Sequence, residues 1–567
     1  MKIQPVLLKK NLCIITGLLC LLAILFNLYY LLNTRQSLLS DYLNLNSCFY
    51  KSHTFAENFF NENTKKTGNV FSIISLIVNF LLLNILLKKY KRFKSEPKTV
   101  IHLQFERLQI PYYFAILLFS FAAWLYGVLL VPVSYDEVFS AMQAAGLPLF
   151  QTISYYMLPN NHIGFNALNS IFFFWMDDKV MSGKIISLLA FVCWNLAAYI
   201  ALNKLMGSKP VALLGTLALA LQFPVWGFAF EARGYELYGL CIFISFLSLA
   251  AYAKSSSNYW LLLNGFVSVL GYICLPTFMY MHLSQIFFGI WLALRSKTFP
   301  LAYFTWQFYI GAGTFLLYLP ALCYSGIHAF TQNKYMHAMD VTYFDFILKT
   351  LQGLSSYLNY AISNNSVGKI SIGILIAILP LLLLFSKKFR HKEFLILFIL
   401  LCAATFALIV IMRRHPFHRN LAGHGYIMLF VAIYVVNFIL NQLSQFLKNS
   451  KLIAYGMPVL LIAVITFSIV KNPQQFNFFL YFDDLNLNKA NALQIIEKIP
   501  AGSTITCSDG CFFYPYWTSQ KQIKNIKCGL NQASYYLIHS YETLPNDLLK
   551  KYELKQQVND CLIYTLK

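Results

Sequence analysis

The stretch "IPYYFAILLFSFAAWLYGVLLVPVSYDE", residues 110–137, places a long apolar run directly before two neighbouring carboxylates, Asp136 and Glu137. A run of about twenty apolar residues is long enough to cross a bilayer as a helix. Ionised side chains are costly near hydrocarbon, so a membrane protein that keeps them there generally uses them. The stretch therefore predicts a membrane span that ends at a functional pair of acids.

The rest of the chain repeats this pattern. Its 567 residues are 58% hydrophobic and only 12% charged, whereas a soluble domain is roughly one quarter charged. Further apolar runs of similar length recur along the sequence, which predicts an all-α protein that crosses the membrane many times.

The formal net charge of +22 does not indicate a nucleic-acid partner. The longest basic cluster, "LKKYKRFK" at residues 87–94, follows an apolar run directly. Basic residues in that position orient a membrane protein and contact anionic lipids. We expect membrane lipids as partners and no nucleic acid.

The apolar runs predict thirteen spans. The first is interpreted as an uncleaved span because no small-residue cleavage site follows it. The spans lie near residues 12–32, 70–87, 110–131, 181–203, 210–229, 235–253, 259–278, 280–294, 301–322, 369–386, 394–412, 421–441 and 452–470.

Lys and Arg orient such a chain, because they accumulate on the cytoplasmic side. With the N-terminus in the cytoplasm, only three of the 22 acids, Glu96, Glu106 and Glu393, fall in cytoplasmic segments. The outer face then carries the carboxylates and the C-terminal tail. We expect two extra N-terminal spans with an outer loop and a basic linker (1–109), a transmembrane catalytic core (110–470) and a small extracytoplasmic α/β domain (471–567).

The tail contains strand-like runs at 503–507, 535–540 and 561–566 and a predicted helix at 489–498. Its four cysteines lie on the side where disulfides form, so one or two disulfides are predicted. A zinc site is the alternative, but the cysteine spacing is poor for zinc. These cysteines are Cys507, Cys511, Cys528 and Cys561.

Two polar stretches lie in the first large outer loop, where interfacial helices are predicted. In "SYDEVFSAMQ" (134–143), Asp136 and Glu137 begin a predicted helix. The structural alternative is that the two acids serve only to cap this helix, because Asp and Glu are favoured in a first helical turn. In "LPNNHIGFNALNSIFFFW" (158–175), His162 precedes a second helix, and the alternative is a solvated surface histidine.

Two more stretches lie at the outer ends of later spans. "FAFEARGYELYGL" (228–240) holds Arg233 and Tyr235 in a tight turn, where simple snorkelling of the arginine is the alternative. "MRRHPFHRNLAGHGY" (412–426) contains three arginines, including Arg414 and Arg419. Guanidinium groups match phosphate oxygens, and pairing with the protein's own carboxylates is the alternative.

In their order and spacing, these stretches resemble the C-type (GT-C) glycosyltransferase superfamily. The resemblance is to the polyprenyl-phosphate-sugar-dependent branch with protein O-mannosyltransferases and lipid A aminoarabinose transferases. It covers roughly residues 110–470. The carrying motifs are the acidic pair, the "NH" at 161–162, the "EAR-x-Y" at 231–235 and the "P-x-x-R" at 416–419. Two departures are "HIGF" without the family's proline, and Asn420 after Arg419.

The resemblance implies an inverting displacement on the extracytoplasmic face of a membrane, which we expect to be the bacterial inner membrane. It implies a polyprenyl-phosphate sugar as donor and a hydroxyl of a lipid, glycan or protein as acceptor. We expect Asp136 to be the base and Glu137 to position the acceptor or help to shape the pocket. Donor phosphate contacts are expected from Arg233, Arg419, His162, Tyr235 and Arg414.

No cofactor is expected; a divalent metal is the alternative, but His328, His337 and Asp340 match no metal-ligand spacing. The alternatives are a ligase or polymerase for lipid-linked glycans, a flippase or transporter, and a membrane scaffold without activity. A coupled transporter usually keeps ionisable groups at the bilayer midplane. The predicted spans place Lys184 and Glu236 only at span ends.

Overall fold

The computed structural model describes most of the chain. The described residues are 2–3, 5–45, 55, 59–93, 101–102, 109–156, 161–331, 341–361, 392–448, 451–479, 482–500, 502–507, 516, 533–540, 543–544 and 546–567.

Helices dominate this part of the chain, as the apolar runs predict. They are α1 (Pro5–Leu32), α2 (Arg35–Asn44), α3 (Glu62–Phe93), α4 (Ile110–Leu130), α5 (Tyr135–Ser140), α6 (Leu149–Ser154), α7 (Ile163–Phe172), α8 (Lys179–Met206), α9 (Lys209–Ala220), α10 (Phe223–Ala229), α11 (Tyr235–Ser255), α12 (Asn258–Cys274), α13 (Met279–Ser296), α14 (Leu301–Tyr324), α15 (His328–Thr331), α16 (Tyr343–Ala361), α17 (Lys392–Met412), α18 (Ala422–Phe446), α19 (Lys451–Phe479), α20 (Phe482–Glu497) and α21 (Asn546–Leu549).

Helices occupy twelve of the thirteen predicted spans, and the span predicted at 369–386 lies outside the described residues. By length and hydropathy, seven helices within the described part can cross a membrane. The number rises to eight if α9 and α10, which meet at a bend of 75°, form one broken span. The protein is a multi-pass membrane protein.

The loop between α4 and α8, which is the predicted first large outer loop, contains short helices, as predicted. A π-helical turn at Ala141–Ala145 continues α5, and α7 begins directly after His162. Ser134 is the N-cap of α5: its hydroxyl accepts from the Glu137 backbone, and the Glu137 side chain accepts from the Ser134 backbone. This reciprocal capping box satisfies two backbone donors at the helix start. Both acids lie in the first turn of α5, so the capping alternative is confirmed for Glu137, whereas the N-cap itself is Ser134 and not Asp136.

The helices enclose a large apolar core centred on α8, α11 and α18, where Trp194, Phe243 and Tyr426 contact one another. The two N-terminal long helices join this bundle along α14. Tyr30 of α1 donates a hydrogen bond to the carbonyl of Cys323, and Ser72 of α3 lies against the Cys323 thiol.

The C-terminal tail begins with α20, which covers the predicted helix, and ends in a four-stranded sheet. The strands are β3 (Ile505–Cys507), β4 (Tyr535–His539), β5 (Tyr552–Val558) and β6 (Cys561–Leu566), and β1 (Lys2–Ile3) pairs with β2 (Ile101–His102) elsewhere. The sheet order is β3-β4-β6-β5. The β3–β4 pair is parallel and the other two pairs are antiparallel.

Strand β5 is missing from the sequence prediction because its polar composition, YELKQQV, lacks an apolar run. It occupies an edge of the sheet and shows a mostly exposed surface. Cys507 and Cys561 are buried in the sheet, whereas Cys511 and Cys528 lie outside the described residues. The disulfide therefore stays a prediction.

The tail packs directly on the helix that carries the acidic pair. Ile495, Ile505 and Ile563 of the tail share one apolar cluster with Val138 and Phe139 of α5. Burial of apolar surface between these elements stabilises their association. The tail and the first outer loop thus lie at the same end of the helix bundle.

Candidate functional site

Asp136 lies between two guanidinium groups. Its Oδ2 is 3.0 Å from Nη1 of Arg233 and 3.3 Å from Nη1 of Arg419. The Asp136 side chain is one-third exposed, so its carboxylate faces both the protein and the space outside. The structure therefore brings together three residues of different stretches, and 283 positions separate Asp136 from Arg419.

Arg233 is buried, with only 1% of its side chain exposed. Its Nη2 donates to the hydroxyl of Tyr235 over 3.2 Å, and the guanidinium lies 5.3 Å from the Tyr235 ring centre. A snorkelling arginine would extend away from the protein towards water. Arg233 points inward instead, so the snorkelling alternative is wrong.

His162 is also buried and packs edge-on against Tyr235, with ring centres 4.7 Å apart. Its Nδ1 accepts a hydrogen bond from the Gly234 backbone over 2.8 Å. Burial lowers the pKa of His162 well below its ordinary value, and Arg233 and Arg419 lower it further. The alternative of a solvated surface histidine is wrong.

These contacts fix the protonation of the His162 ring. A neutral imidazole with an accepting Nδ1 carries its proton on Nε2. Nε2 lies 3.4 Å from Nη2 of Arg233, and both atoms are then donors. Two donors side by side suit a shared anionic oxygen, because neither can accept from the other.

Gly234 is essential to this approach. A Cβ at position 234 would lie 2.8 Å from Nδ1 and 3.0 Å from Cβ of His162. Any other residue would push the imidazole away. The "EARGY" turn therefore provides Arg233, the aromatic ring of Tyr235 and Gly234, which has no side chain and so lets His162 come close.

Glu137 points away from Asp136 and is almost fully buried. Its Oε1 accepts from the Ala232 backbone over 2.8 Å and lies 3.5 Å from Nζ of Lys184, while Oε2 accepts from the Ser134 backbone over 2.7 Å. The contacts with Ala232 and Lys184 tie α5 to the bundle, and the contact with Ser134 caps α5 itself. Glu137 thus holds in place the helix on which Asp136 lies.

Glu231 adds a third carboxyl group that the sequence motif contains but for which no role was predicted. Its Oε2 is buried and makes no hydrogen bond within the described structure. Burial raises the pKa of Glu231 to about 7, with a further rise from Glu137 and opposing effects of Arg233 and Arg419. The group is thus able to gain or lose a proton near neutral pH.

The late arginine-rich turn divides its side chains between different partners. Arg413 donates to the Val341 carbonyl over 3.0 Å, and Arg414 is directed to the Thr331 carbonyl at 3.5 Å. Arg419 alone of the three contacts Asp136, and its guanidinium lies 5.4 Å from the Tyr235 ring centre. Arg419 therefore pairs with a carboxylate of the protein itself, as the alternative predicted. Phosphate binding by Arg414 stays a prediction.

Lys184 and Tyr516 also adjoin the acidic pair. The sequence showed Lys184 only as an ionisable residue at a span end, while Tyr516 lies in the tail without any motif. Burial raises the pKa of Tyr516, and nearby Asp178 and Glu137 raise it further.

Within the described residues, no three His, Cys, Asp or Glu side chains are grouped to hold a metal ion.

The fold and this charged site together define a multi-pass membrane protein with an acid–arginine cluster at one end of its helix bundle. No protein-family model matches the sequence, and no curated protein matches it significantly. Among solved structures, the chain is similar to ArnT from Cupriavidus metallidurans bound to undecaprenyl phosphate. The similarity has 10% sequence identity and a TM-score of 0.46, and it covers 80% of this chain and 98% of that chain.

Proposed function

We propose that this protein is a GT-C-type membrane glycosyltransferase that moves a sugar from a polyprenyl-phosphate donor to an acceptor hydroxyl. One observation carries the proposal: the Asp136 carboxylate contacts both Arg233 and Arg419. A group able to take a proton from a hydroxyl and groups able to hold a phosphate thus occupy one site.

In the proposed reaction, Asp136 accepts the proton of the acceptor hydroxyl. The acceptor oxygen forms a bond to the anomeric carbon from the face opposite the phosphate, which inverts that centre. The bond between this carbon and the phosphate oxygen breaks, and the polyprenyl phosphate leaves with the electron pair. General base catalysis of this kind contributes roughly 10²–10⁴-fold in rate.

Arg233, Arg419 and the Nε2 proton of His162 are proposed to hold the leaving phosphate. Its charge grows as the bond breaks, so donors already in place stabilise the transition state more than the bound donor. Tyr235 supports this arrangement, because its ring lies beside both guanidinium groups and its hydroxyl accepts from Arg233.

The ion pairs of Asp136 with Arg233 and Arg419 suggest how the base is controlled. A carboxylate held by two guanidinium groups is a weak proton acceptor, because the positive charges favour its ionised form. A donor phosphate would compete for Arg233 and Arg419 and weaken their contacts with Asp136. Donor binding would then make Asp136 a stronger base only when the sugar is in place.

The proposed donor also fits the proposed location. Nucleotide sugars are cytoplasmic, so transfer at the outer face needs a donor that has already crossed the membrane. A sugar on a polyprenyl phosphate keeps its tail in the lipid and its head at the interface. We propose that the N-terminus is cytoplasmic and that the site and the tail lie on the extracytoplasmic side of a bacterial inner membrane.

The direct test is transfer from radiolabelled polyprenyl-phosphate sugars in proteoliposomes, with the wild-type protein and Asp136→Asn compared side by side. We expect transfer by the wild type and a loss of at least a hundredfold in the variant. Undiminished transfer by Asp136→Asn would refute the base assignment. Transfer only from oligosaccharides on polyprenyl pyrophosphate would instead identify a lipid-linked glycan ligase or polymerase.

A further inference from the structure

A polar cavity of about 280 Å³ lies between the start of α3 and the turn that follows α14. It is separate from the Asp136 cluster and uses the N-terminal segment that the resemblance does not cover. The residues that line it are Asn61, Asn63, Thr64, Thr67, Gly326, Ile327 and His328. These described residues offer amide, hydroxyl and imidazole groups.

Two local contacts build the cavity wall. The side-chain oxygen of Asn61 accepts a hydrogen bond from the Thr64 backbone over 3.0 Å, which caps α3. The amide N–H groups of Asn61 take no part in this cap. Gly326 adopts a φ of +79°, and a Cβ there would lie 2.6 Å from the His328 ring and 3.0 Å from the Thr64 hydroxyl. The turn can therefore press against α3 only with glycine at this position.

His328 is one of the residues that line the cavity. Its Nε2 is buried and has no hydrogen-bond partner within the described structure. The ring is held by stacking on Phe59, with ring centres 5.7 Å apart and planes at 25°. A buried polar atom without a partner is costly and calls for a ligand or an ordered water.

The cavity lies at the same end of the bundle as the proposed active site. Phe59 and Ala329, beside the cavity, pack in one apolar cluster with Ile163, and Ile163 directly follows His162. Ser325, next to Gly326, donates to the Ser154 carbonyl over 2.6 Å and accepts from the Tyr156 backbone over 2.8 Å. The cavity wall and the loop that leads to His162 are therefore joined.

We propose that this cavity is a binding site for one neutral sugar unit of a carbohydrate acceptor. The volume lies just below the roughly 300–1,000 Å³ of drug-sized ligand sites, which suits a single ring. Asn, Thr and His each offer donors or acceptors that match vicinal hydroxyl groups. The role as acceptor site rests on the proposed function, whereas sugar binding itself does not.

Charge disfavours the other small ligands. Among the described residues, no Lys or Arg lines the cavity, so this part of the wall offers no cation to hold an anion. No carboxylate of the described residues lines it either, and the positive end of the α3 dipole disfavours a cation.

The test measures glycoside binding to the full-length protein in nanodiscs by saturation-transfer NMR. The probes are the methyl glycosides of glucose, mannose, galactose, N-acetylglucosamine and arabinose, with inorganic phosphate added as a competitor. We expect saturable binding of at least one glycoside that excess phosphate does not displace. Displacement of the glycoside by phosphate, or binding of no glycoside, would overturn the proposal.

Two variants locate the binding site while they keep the contacts that shape the cavity wall. Asn61→Asp keeps the capping oxygen but removes the amide donor, and His328→Phe keeps the stacked ring but removes Nε2. Each should weaken glycoside binding by about three- to tenfold, the effect of one net hydrogen bond. If both variants bind like the wild type, the glycoside occupies another site and the proposal is wrong.

Asp136→Asn separates this proposal from the proposed function. It should bind the glycoside like the wild type while transfer is lost, because Asp136 does not line the cavity. In transfer assays with a glycan acceptor, His328→Phe should raise the acceptor KM and leave the donor KM unchanged. An unchanged acceptor KM, with glycoside binding weakened, would refute the acceptor role alone.

Discussion

Glu137 allows a sharp test of how the acidic pair divides its work. We expect Glu137→Ala to destabilise the protein by about 3–5 kcal/mol, the typical cost of breaking a buried ion pair by removing one partner. Glu137 and Lys184 are only 3% and 4% exposed, with 3.5 Å between their charged atoms. The backbone N–H groups of Ser134 and Ala232 also lose their acceptor, each at about 1–3 kcal/mol when taken alone. These costs overlap, so they do not add.

The assay is equilibrium chemical unfolding in mixed micelles, followed by tryptophan fluorescence. The double variant Glu137→Ala with Lys184→Met removes the stranded ammonium group and should recover part of the loss. Glu62→Ala is the matched surface control. Its carboxylate is 71% exposed and 4.0 Å from Arg35, so a change under about 1 kcal/mol is expected. A loss below about 1 kcal/mol for Glu137→Ala, or no recovery in the double variant, would refute the reasoning.

Four further predictions concern the charged site. Asp136→Asn should bind polyprenyl phosphate at least as tightly as the wild type in a binding titration, because a competitor for the arginines is removed; weaker binding would contradict the exchange of ion pairs. Arg419→Ala should weaken that binding by roughly ten- to a hundredfold, the effect of a hydrogen bond to a charged group, and unchanged affinity would rule out its phosphate role. Burial raises the pKa of Glu231 to about 7 in the folded protein, so protonation of Glu231 favours the folded state. This contribution to the free energy of unfolding is complete below the ordinary pKa of about 4.5 and is lost as the pH rises through about 7. Glu231→Gln should therefore lose less stability between pH 5 and pH 8 than the wild type, and equal losses would contradict the shift. Gly234→Ala should lower transfer while the fold persists, because the new Cβ would meet His162 Nδ1 at 2.8 Å; full activity would show that the position of His162 is unimportant.

The amino-acid sequence determined the helical class of the protein and the positions of its spans. Hydrophobicity is a local property of the chain, and a run of about twenty apolar residues indicates a span without knowledge of its neighbours. Alternating or apolar runs also located three strands of the tail, whereas the polar edge strand β5 offered no such signal. The acidic pair and the "EARGY" turn were found because they interrupt apolar runs.

Only the tertiary structure decided which of these residues meet. Three arginines within seven positions look alike in sequence, yet Arg419 reaches Asp136 while Arg413 and Arg414 contact backbone carbonyls. The two neighbouring acids also have different partners, because helix geometry turns the side chains of Asp136 and Glu137 in different directions. Contacts between residues 283 positions apart depend on how the helices pack, and no local pattern encodes that packing.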